Sequence, residues 1–169
     1  MHKKDSVFFA DSMLASLCRR LRMFGYPCTY SRDITPDRTE PSDDEIIRYC
    51  ARHGLVFLTR DEALAARAKS YARTVFLESM SAAGQLAEAS SRLGLDASKQ
   101  LSQSRCPKCN SEIVRVPKKS VRGLVWPKVY SQQRAFWKCA CCGQVYWRGS
   151  HWSSFELERK KLRKLSASP

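Results

Sequence analysis

The first 94 residues alternate between short apolar runs and segments with helical periodicity. Four runs have the length of strands, namely SVFFA at 6–10, CTYS at 28–31, LVFL at 55–58 and TVFL at 74–77. After the first run, apolar side chains recur three and four residues apart, as expected of an amphipathic helix that ends near Gly25. Strands that alternate with helices predict an α/β fold with a mostly parallel sheet flanked by helices.

Three further helices complete this pattern. The polar segment 32–42, with two prolines, predicts a loop. A helix then begins at Ser42 or Asp43 and ends before Gly54, and others are expected at about 62–70 and 81–93. We therefore predict a first domain over residues 1–94.

The rest of the chain has shorter and more irregular apolar stretches. Residues 95–104 predict a linker, and stretches such as EIVRV and QVYW after it predict a small β unit over 105–152. Ser153 and Glu156 have the spacing of a capping box, which predicts a basic helix over 154–165 within a C-terminal tail, 153–169.

Acidic residues lie where the predicted strands of the first domain end. Asp11 directly follows SVFFA, Asp61 ends the run FLTRD, and the group SDDE at 42–45 opens the intervening helix. In an open parallel sheet, ligands bind beyond the carboxyl ends of the strands. The three positions can therefore converge on one point.

A divalent metal would relieve the repulsion between such carboxylates. Asp43 shares a helix face with Ile46 and Ile47 and is expected to point inward, whereas Asp44 is rotated by about 100°. Oxygen ligands favour Mg²⁺ or Mn²⁺, so Asp11, Asp43 and Asp61 are candidate metal ligands, and Asp44 is a further catalytic candidate. The alternative is that each aspartate only caps the helix that follows it.

The cysteines of the second unit form two closely spaced pairs. Cys106 and Cys109 make one CxxC pair, Cys139 and Cys142 make the other, and 29 residues lie between the two pairs. Two such pairs predict a structural tetrahedral Zn²⁺ site. Cys141 is an alternative ligand, but Gly143 after Cys142 suits a ligand turn, so Cys142 is preferred. The residues between the pairs predict a hairpin with a long basic tip.

Positive charge is concentrated in the same part of the chain. Residues 1–104 contain 15 Lys and Arg against 13 Asp and Glu, whereas residues 105–169 contain 15 against 3. Such asymmetry is typical of proteins that bind a polyanion, above all nucleic acid. The alternative is a surface that only keeps the protein soluble.

Basic and aromatic side chains supply the candidate nucleic-acid contacts, because aromatic rings can stack on the bases of a single strand. The candidates are Arg60, Lys118, Lys119, Arg122, Lys128, Arg148, His151 and Trp152. For the tryptophans the alternative is a small core that covers the zinc site, and for His151 and Arg60 it is a structural or solvated side chain.

The N-terminal segment bears on location. Its apolar run, residues 7–10, is much shorter than a signal peptide or a membrane helix requires. The expectation is therefore a cytoplasmic protein without a membrane partner.

Four motifs together resemble the Mut-seven C-terminal RNase domain family. They are FFADSMLASLCRRLRMFGY, SDDEIIRYCARHGLVFLTRD, RCPKCN and FWKCACCGQVYWRGSHW, in that order, and they extend from about Phe8 to Trp152. The resemblance implies a PIN-like nuclease fold followed by a zinc ribbon, with Asp11, Asp43 and Asp61 as active-site acids. Pro27, Arg20 and Leu55 stand where the family commonly has other residues.

These observations predict a Mg²⁺- or Mn²⁺-dependent ribonuclease whose zinc ribbon and basic tail bind RNA. Single-stranded RNA is the expected partner, with the ribosome or tRNA as alternatives. The main rival hypothesis is a non-catalytic RNA- or ribosome-binding protein that retains the PIN-like fold. A third is an endonuclease that acts on DNA.

Overall fold

The computed structural model describes residues 7–95, 104–149, 152–153 and 155–160. Within residues 7–95, four strands alternate strictly with four α-helices. In chain order they are β1 (Phe8–Ala10), α1 (Ala15–Met23), β2 (Cys28–Tyr30), α2 (Asp43–His53), β3 (Val56–Thr59), α3 (Glu62–Ala68), β4 (Thr74–Phe76) and α4 (Ala82–Leu93). None of the helices in the described ranges is long and apolar enough to cross a membrane.

The four strands form one parallel sheet in the order β2-β1-β3-β4. Strand β1 pairs with both β2 and β3, with Ala10 opposite Tyr30 on one side and opposite Leu58 on the other. The carboxyl ends of β1 and β3 therefore lie side by side. This register brings the residues after Ala10 and Leu58 to the same edge of the sheet.

Helices cover both faces of the sheet because successive side chains of a strand point to opposite sides. Phe8 and Ala10 of β1 pack into a core with α1 and α4, whereas Phe9 packs with α2 and α3 on the other face. Strand β3 alternates in the same way, with Leu58 on the first face and Phe57 on the second. The predicted parallel α/β sheet flanked by helices is thus confirmed.

The second unit is a small antiparallel sheet. Its strands are β5 (Ile113–Val116), β6 (Phe136–Cys139) and β7 (Val145–Trp147), in the order β5-β6-β7. Strands β5 and β6 form the predicted hairpin, but its long basic tip contains a 3-10 turn at Lys118–Val121 and a short helix, α5 (Pro127–Gln132). Val121, Phe136 and Val145 are the buried centre of this unit.

The two units are joined by a buried arginine of α1. The Arg22 side chain is almost fully buried and donates hydrogen bonds to the carbonyls of Pro107 (2.9 Å) and Cys28 (2.8 Å) and to the Asp33 carboxylate (3.0 Å). In the reverse direction, the Arg105 N–H donates to the Arg22 carbonyl over 2.8 Å. The first CxxC pair is therefore held directly against α1 and β2.

The C-terminal segment returns to the first unit. Residues 152–153 and 155–160 are helical, so this helix begins no later than Trp152, before the predicted start at residue 154. The Phe155 ring is buried 4.6 Å from the Phe24 ring centroid, and Glu158 forms an ion pair with Arg20. The predicted continuation over 161–165 lies outside the described residues.

Candidate functional site

Asp11 lies immediately after β1 and is almost fully buried, with 4% of its surface exposed. One carboxylate oxygen accepts a hydrogen bond from the Ser12 N–H (2.6 Å), which caps the turn that leads into α1. The other accepts a hydrogen bond from the Thr59 hydroxyl (2.6 Å). Both oxygens are thus held in fixed directions at the carboxyl edge of the sheet.

The Thr59 hydroxyl also connects Asp11 to Asp61. Thr59 is the last residue of β3 and is fully buried. While its hydroxyl donates to Asp11, it accepts a hydrogen bond from the Asp61 N–H over 3.0 Å. Asp61 is exposed, and its own carboxylate accepts from the Leu64 N–H (2.8 Å) as the N-cap of α3. The structure therefore brings Asp11 and Asp61 together, as the strand ends predict, and Asp61 serves as a helix cap as well.

Glu40 is a neighbour of this pair that the sequence pattern did not indicate. Burial raises the pKa of the Asp11 carboxyl, and the negative charges of Glu40 and Asp61 raise it further, although the hydrogen bonds from Thr59 and Ser12 lower it. The Glu40 carboxylate accepts a hydrogen bond from Arg32 over 2.9 Å. Glu40 lies in the polar loop before α2, and its side chain is 44% exposed.

Asp43 and Asp44 take a different position from the one predicted. Asp43 is the first residue of α2, after the N-cap Ser42, and its side chain is 53% exposed. Arg67 of α3 donates to Asp43 over 2.8 Å and to Asp44 over 2.6 Å. The prediction that Asp43 points inward is therefore wrong, because this arginine holds both carboxylates at the surface between α2 and α3. Within the described residues, Asp11, Asp43 and Asp61 do not form a group of three potential metal ligands.

The four cysteines of the two CxxC pairs do form such a group. All four sulfurs of Cys106, Cys109, Cys139 and Cys142 lie within 4.8 Å of one another. The Cys106 and Cys142 sulfurs are 3.6 Å apart, and those of Cys109 and Cys139 are 3.4 Å apart. Tetrahedral zinc–sulfur bonds of about 2.3 Å place neighbouring sulfurs about 3.8 Å apart. The four thiols therefore fit a Zn²⁺ ion in both chemistry and spacing.

Turns after each pair shape this cluster. Asn110 and Gly143 follow the second cysteine of each pair, and both have positive φ angles, 65° and 71°. Cys141 is exposed and is not part of the group, in agreement with the preference for Cys142. The Tyr146 hydroxyl lies 3.0 Å from the Cys106 sulfur and supports it from outside the cluster.

The predicted nucleic-acid contacts of the ribbon lie mainly on the hairpin tip. Lys118 and Lys119 belong to its 3-10 turn, exposed Arg122 follows that turn, and exposed Lys128 is in α5. The Lys118 ammonium lies 4.8 Å from the centroid of the Tyr130 ring. These side chains form one basic region. In the sequence, this region lies far from the acidic residues of the sheet edge.

The remaining candidates have mixed positions. The Arg148 guanidinium lies 5.6 Å from the centroid of the Trp137 ring and 6.0 Å from that of Trp152. Trp152 packs on Phe155 and against the core of the first unit, which favours the structural alternative for this ring. His151 lies outside the described residues. Arg60, between Thr59 and Asp61, has a buried Nε atom without a hydrogen-bond partner.

The comparisons with known proteins agree with these features. The family model described as the Mut7-C RNAse domain matches residues 6–158. Neither the curated proteins nor the solved structures gave a match. The matched range contains the acidic edge of the parallel sheet and all four clustered cysteines. The chain therefore belongs to the Mut7-C RNAse domain family.

Proposed function

We propose that this protein is a Mg²⁺- or Mn²⁺-dependent ribonuclease. Its family supports a nuclease-type hydrolase with an RNA substrate. The observation that carries the proposal is the arrangement of Asp11, Thr59 and Asp61 at the carboxyl ends of two adjacent parallel strands. Catalytic centres of open α/β sheets form at such edges.

Each residue of this edge would contribute in a defined way. Asp11 and Asp61 would bind the metal, and Glu40 supplies a third negative charge nearby. A bound Mg²⁺ or Mn²⁺ ion supplies polarisation of a phosphate oxygen and of the attacking water. Thr59 holds the Asp11 carboxylate in place, and Arg60, between Thr59 and Asp61 in the chain, would supply a positive charge near a bound phosphate. Asp43 would bind the metal only if its ion pair with Arg67 were broken.

We further propose a division of labour along the chain. Residues 1–94 would form the nuclease domain, and 105–152 a zinc ribbon that, with the basic segment 153–169, holds the RNA. The asymmetry of charge supports this division, because residues 105–169 contain 15 Lys and Arg against 3 Asp and Glu. The zinc would be structural, since four thiolates leave no open position for substrate.

A second candidate function rests on one observation. Arg67 forms ion pairs with Asp43 and Asp44, so Asp43 does not join Asp11 and Asp61 in one group of carboxylates. A protein with an incomplete acidic site would bind RNA without cleaving it. This rival predicts RNA binding of similar strength with and without the catalytic metal.

Incubation of the purified protein with end-labelled single-stranded RNA, with and without Mn²⁺, tests the proposal. We expect cleavage products only with the metal, and less or none from DNA of the same sequence. Stable binding with no Mn²⁺-dependent product would favour the non-catalytic rival. Faster cleavage of the DNA strand would favour the third hypothesis, a DNA endonuclease.

The zinc proposal has its own test. Protein as purified should contain about one zinc per chain. Cys139→Ser should lose that zinc, whereas Cys141→Ser, the matched control in the same turn, should keep it, because only Cys139 belongs to the cluster. Elemental analysis with the opposite outcome would show that the ligand set is wrong.

A further inference from the structure

A groove on the zinc ribbon has no role in the chemistry described so far. It has a volume of about 1000 Å³ and lies between the hairpin tip and the second CxxC turn. Arg122, Trp126 and Tyr130 line one side, and Gly143 and Trp147 line the other. This volume lies at the upper end of the range of about 300–1,000 Å³ that is typical of ligand pockets.

Trp126 is the most exposed large side chain of this groove. Its side chain is exposed to 78%, and that of the neighbouring Leu124 to 57%. A tryptophan ring exposed to this extent leaves a large apolar face in water. That face contributes no packing energy to the ribbon itself. Exposed aromatic rings beside basic side chains are the usual platform for unpaired bases.

The backbone beneath Trp126 is firmly held, so the ring is displayed from a fixed position. Pro127 is the first residue of α5 and restricts Trp126 to an extended conformation, with φ −57° and ψ 142°. The Trp126 carbonyl accepts a hydrogen bond from the Tyr130 N–H over 2.9 Å. On the other side, the Leu124 N–H donates to the carbonyl of fully buried Val121 over 3.0 Å. The backbone that carries the ring therefore needs little ordering when a ligand binds.

The charge around the groove has one sign. From residue 113 to residue 155 the sequence contains eight Lys and Arg and no Asp or Glu. Arg122 lines the groove itself, and Lys118 lies against the Tyr130 ring that also lines it. A rim of positive charge attracts anions, and a nucleic-acid strand with one phosphate per nucleotide is complementary to several of these side chains at once.

We propose that this groove binds an unpaired nucleobase of an RNA strand, with Trp126 stacked on the base and Arg122 beside the adjoining phosphate. The inference deepens the proposed function and rests on RNA being the ligand. A double helix does not fit this site, because its bases are stacked on one another and their faces are covered. The ribbon would thus select single-stranded regions and hold them for the acidic edge.

Binding measured by fluorescence anisotropy tests the groove, with labelled oligouridylate as the probe and no added divalent metal, so that cleavage does not interfere. Trp126→Ala should bind oligouridylate about ten-fold more weakly, since one stacking platform is lost. An abasic ribose-phosphate chain of the same length should bind both proteins equally. Trp126→Phe should retain most of the affinity, and Tyr71→Ala, which removes an exposed ring of the first unit, should retain all of it.

Three results would overturn the inference. They are unchanged oligouridylate affinity in Trp126→Ala, an equal loss on the abasic chain, and no binding of oligouridylate by the unaltered protein. Zinc content and circular dichroism of each variant show whether the ribbon is intact. We expect it to be intact, because the Trp126 side chain is exposed. Cleavage with Mn²⁺ is measured separately, so failure of the nuclease proposal and failure of the groove give different results.

Discussion

At the scale of single residues, the Thr59 hydroxyl is the link on which the acidic edge depends. It donates to the Asp11 carboxylate over 2.6 Å and accepts from the Asp61 N–H over 3.0 Å. Because both Thr59 and Asp11 are buried, no water can take its place without a rearrangement. One side chain thus orients the Asp11 carboxylate and holds the backbone of Asp61 beside it.

Removal of that hydroxyl should affect both stability and catalysis. Thr59→Val keeps the shape of the side chain but leaves a buried carboxylate oxygen without its donor, which should lower the free energy of unfolding by about 1–3 kcal/mol. Loss of a group that orients a metal ligand should lower the cleavage rate by about ten-fold or more. Thr59→Ser restores the hydroxyl and should recover both quantities. Denaturant unfolding and RNA cleavage check this, and a Val variant with unchanged values would contradict it.

The acidic residues also show how far the sequence predicts a site. Asp11 and Asp61 lie at the carboxyl edge of the sheet, as the ends of the apolar runs predict, because the end of a buried strand fixes the position of the residues just after it. The prediction for Asp43 is wrong, because its helix face indicated burial, but an arginine from α3 attracts it to the surface. The sequence pattern does not indicate that Glu40 lies near Asp11, because that proximity depends on the path of a loop. Long-range pairing and loop paths leave no periodic pattern in a sequence.

At the scale of elements, the docking of the first CxxC turn on α1 is the main junction between the two units. Arg22 donates across it to the Pro107 carbonyl, while the Cys28 carbonyl and Asp33 of its own unit hold the guanidinium in place. The Asn110 side chain adds a second link by accepting a hydrogen bond from the Cys28 N–H over 3.2 Å. The planar guanidinium satisfies acceptors in several directions at once, which a lysine cannot do. Zinc binding by the turn and packing of α1 should therefore stabilise each other.

Arg22→Lys should disrupt this junction although it keeps the charge. Loss of several hydrogen bonds from a buried cation should lower the free energy of unfolding by about 2 kcal/mol or more. It should also speed the release of zinc to a chelator, because the turn is less firmly held. Arg20→Lys is the matched control, since Arg20 is in the same helix but forms a partly exposed ion pair with Glu158. Equal effects of the two variants would show that Arg22 is not the junction.

Regular elements were predicted better than the connection between the CxxC pairs. The strands of the parallel sheet are short apolar runs and its helices have clear apolar faces and caps, such as Ser42 and Gly54 around α2. Helix α5 has six residues and none of them is buried, so it leaves no apolar face in the sequence. The groove next to it could not be predicted for the same reason.

At the scale of the whole molecule, charge and chemistry are separated. The acidic edge belongs to the nearly neutral first part of the chain, and the basic side chains belong largely to the ribbon. Deletion of the ribbon is a poor test of this separation, because Phe155 packs into the core of the first unit and would be removed as well. Substitution of surface charges in the full-length chain avoids that loss.

Lys118→Gln combined with Lys119→Gln should reduce the salt dependence of RNA binding. Each phosphate contact on a single strand contributes about −0.7 to the slope of log K against log salt concentration, so the slope should become shallower by about 1.4. Lys69→Gln with Arg73→Gln removes the same charge from exposed positions of the first unit and should leave the slope nearly unchanged. A larger effect of the second pair would show that the RNA lies elsewhere.

The central claim is that Asp11 and Asp61 belong to one metal-dependent catalytic centre. The most direct measurement is the Mn²⁺-dependent cleavage rate of single-stranded RNA by Asp11→Asn, Asp61→Asn and the double variant. Asparagine still caps a helix but lacks the charge, so each single variant should fold and lose about 10²-fold or more in rate. Because residues of one centre act as a unit, the double variant should lose little more than the worse single variant. Wild-type rates in either single variant, or losses that multiply in the double variant, would contradict the account.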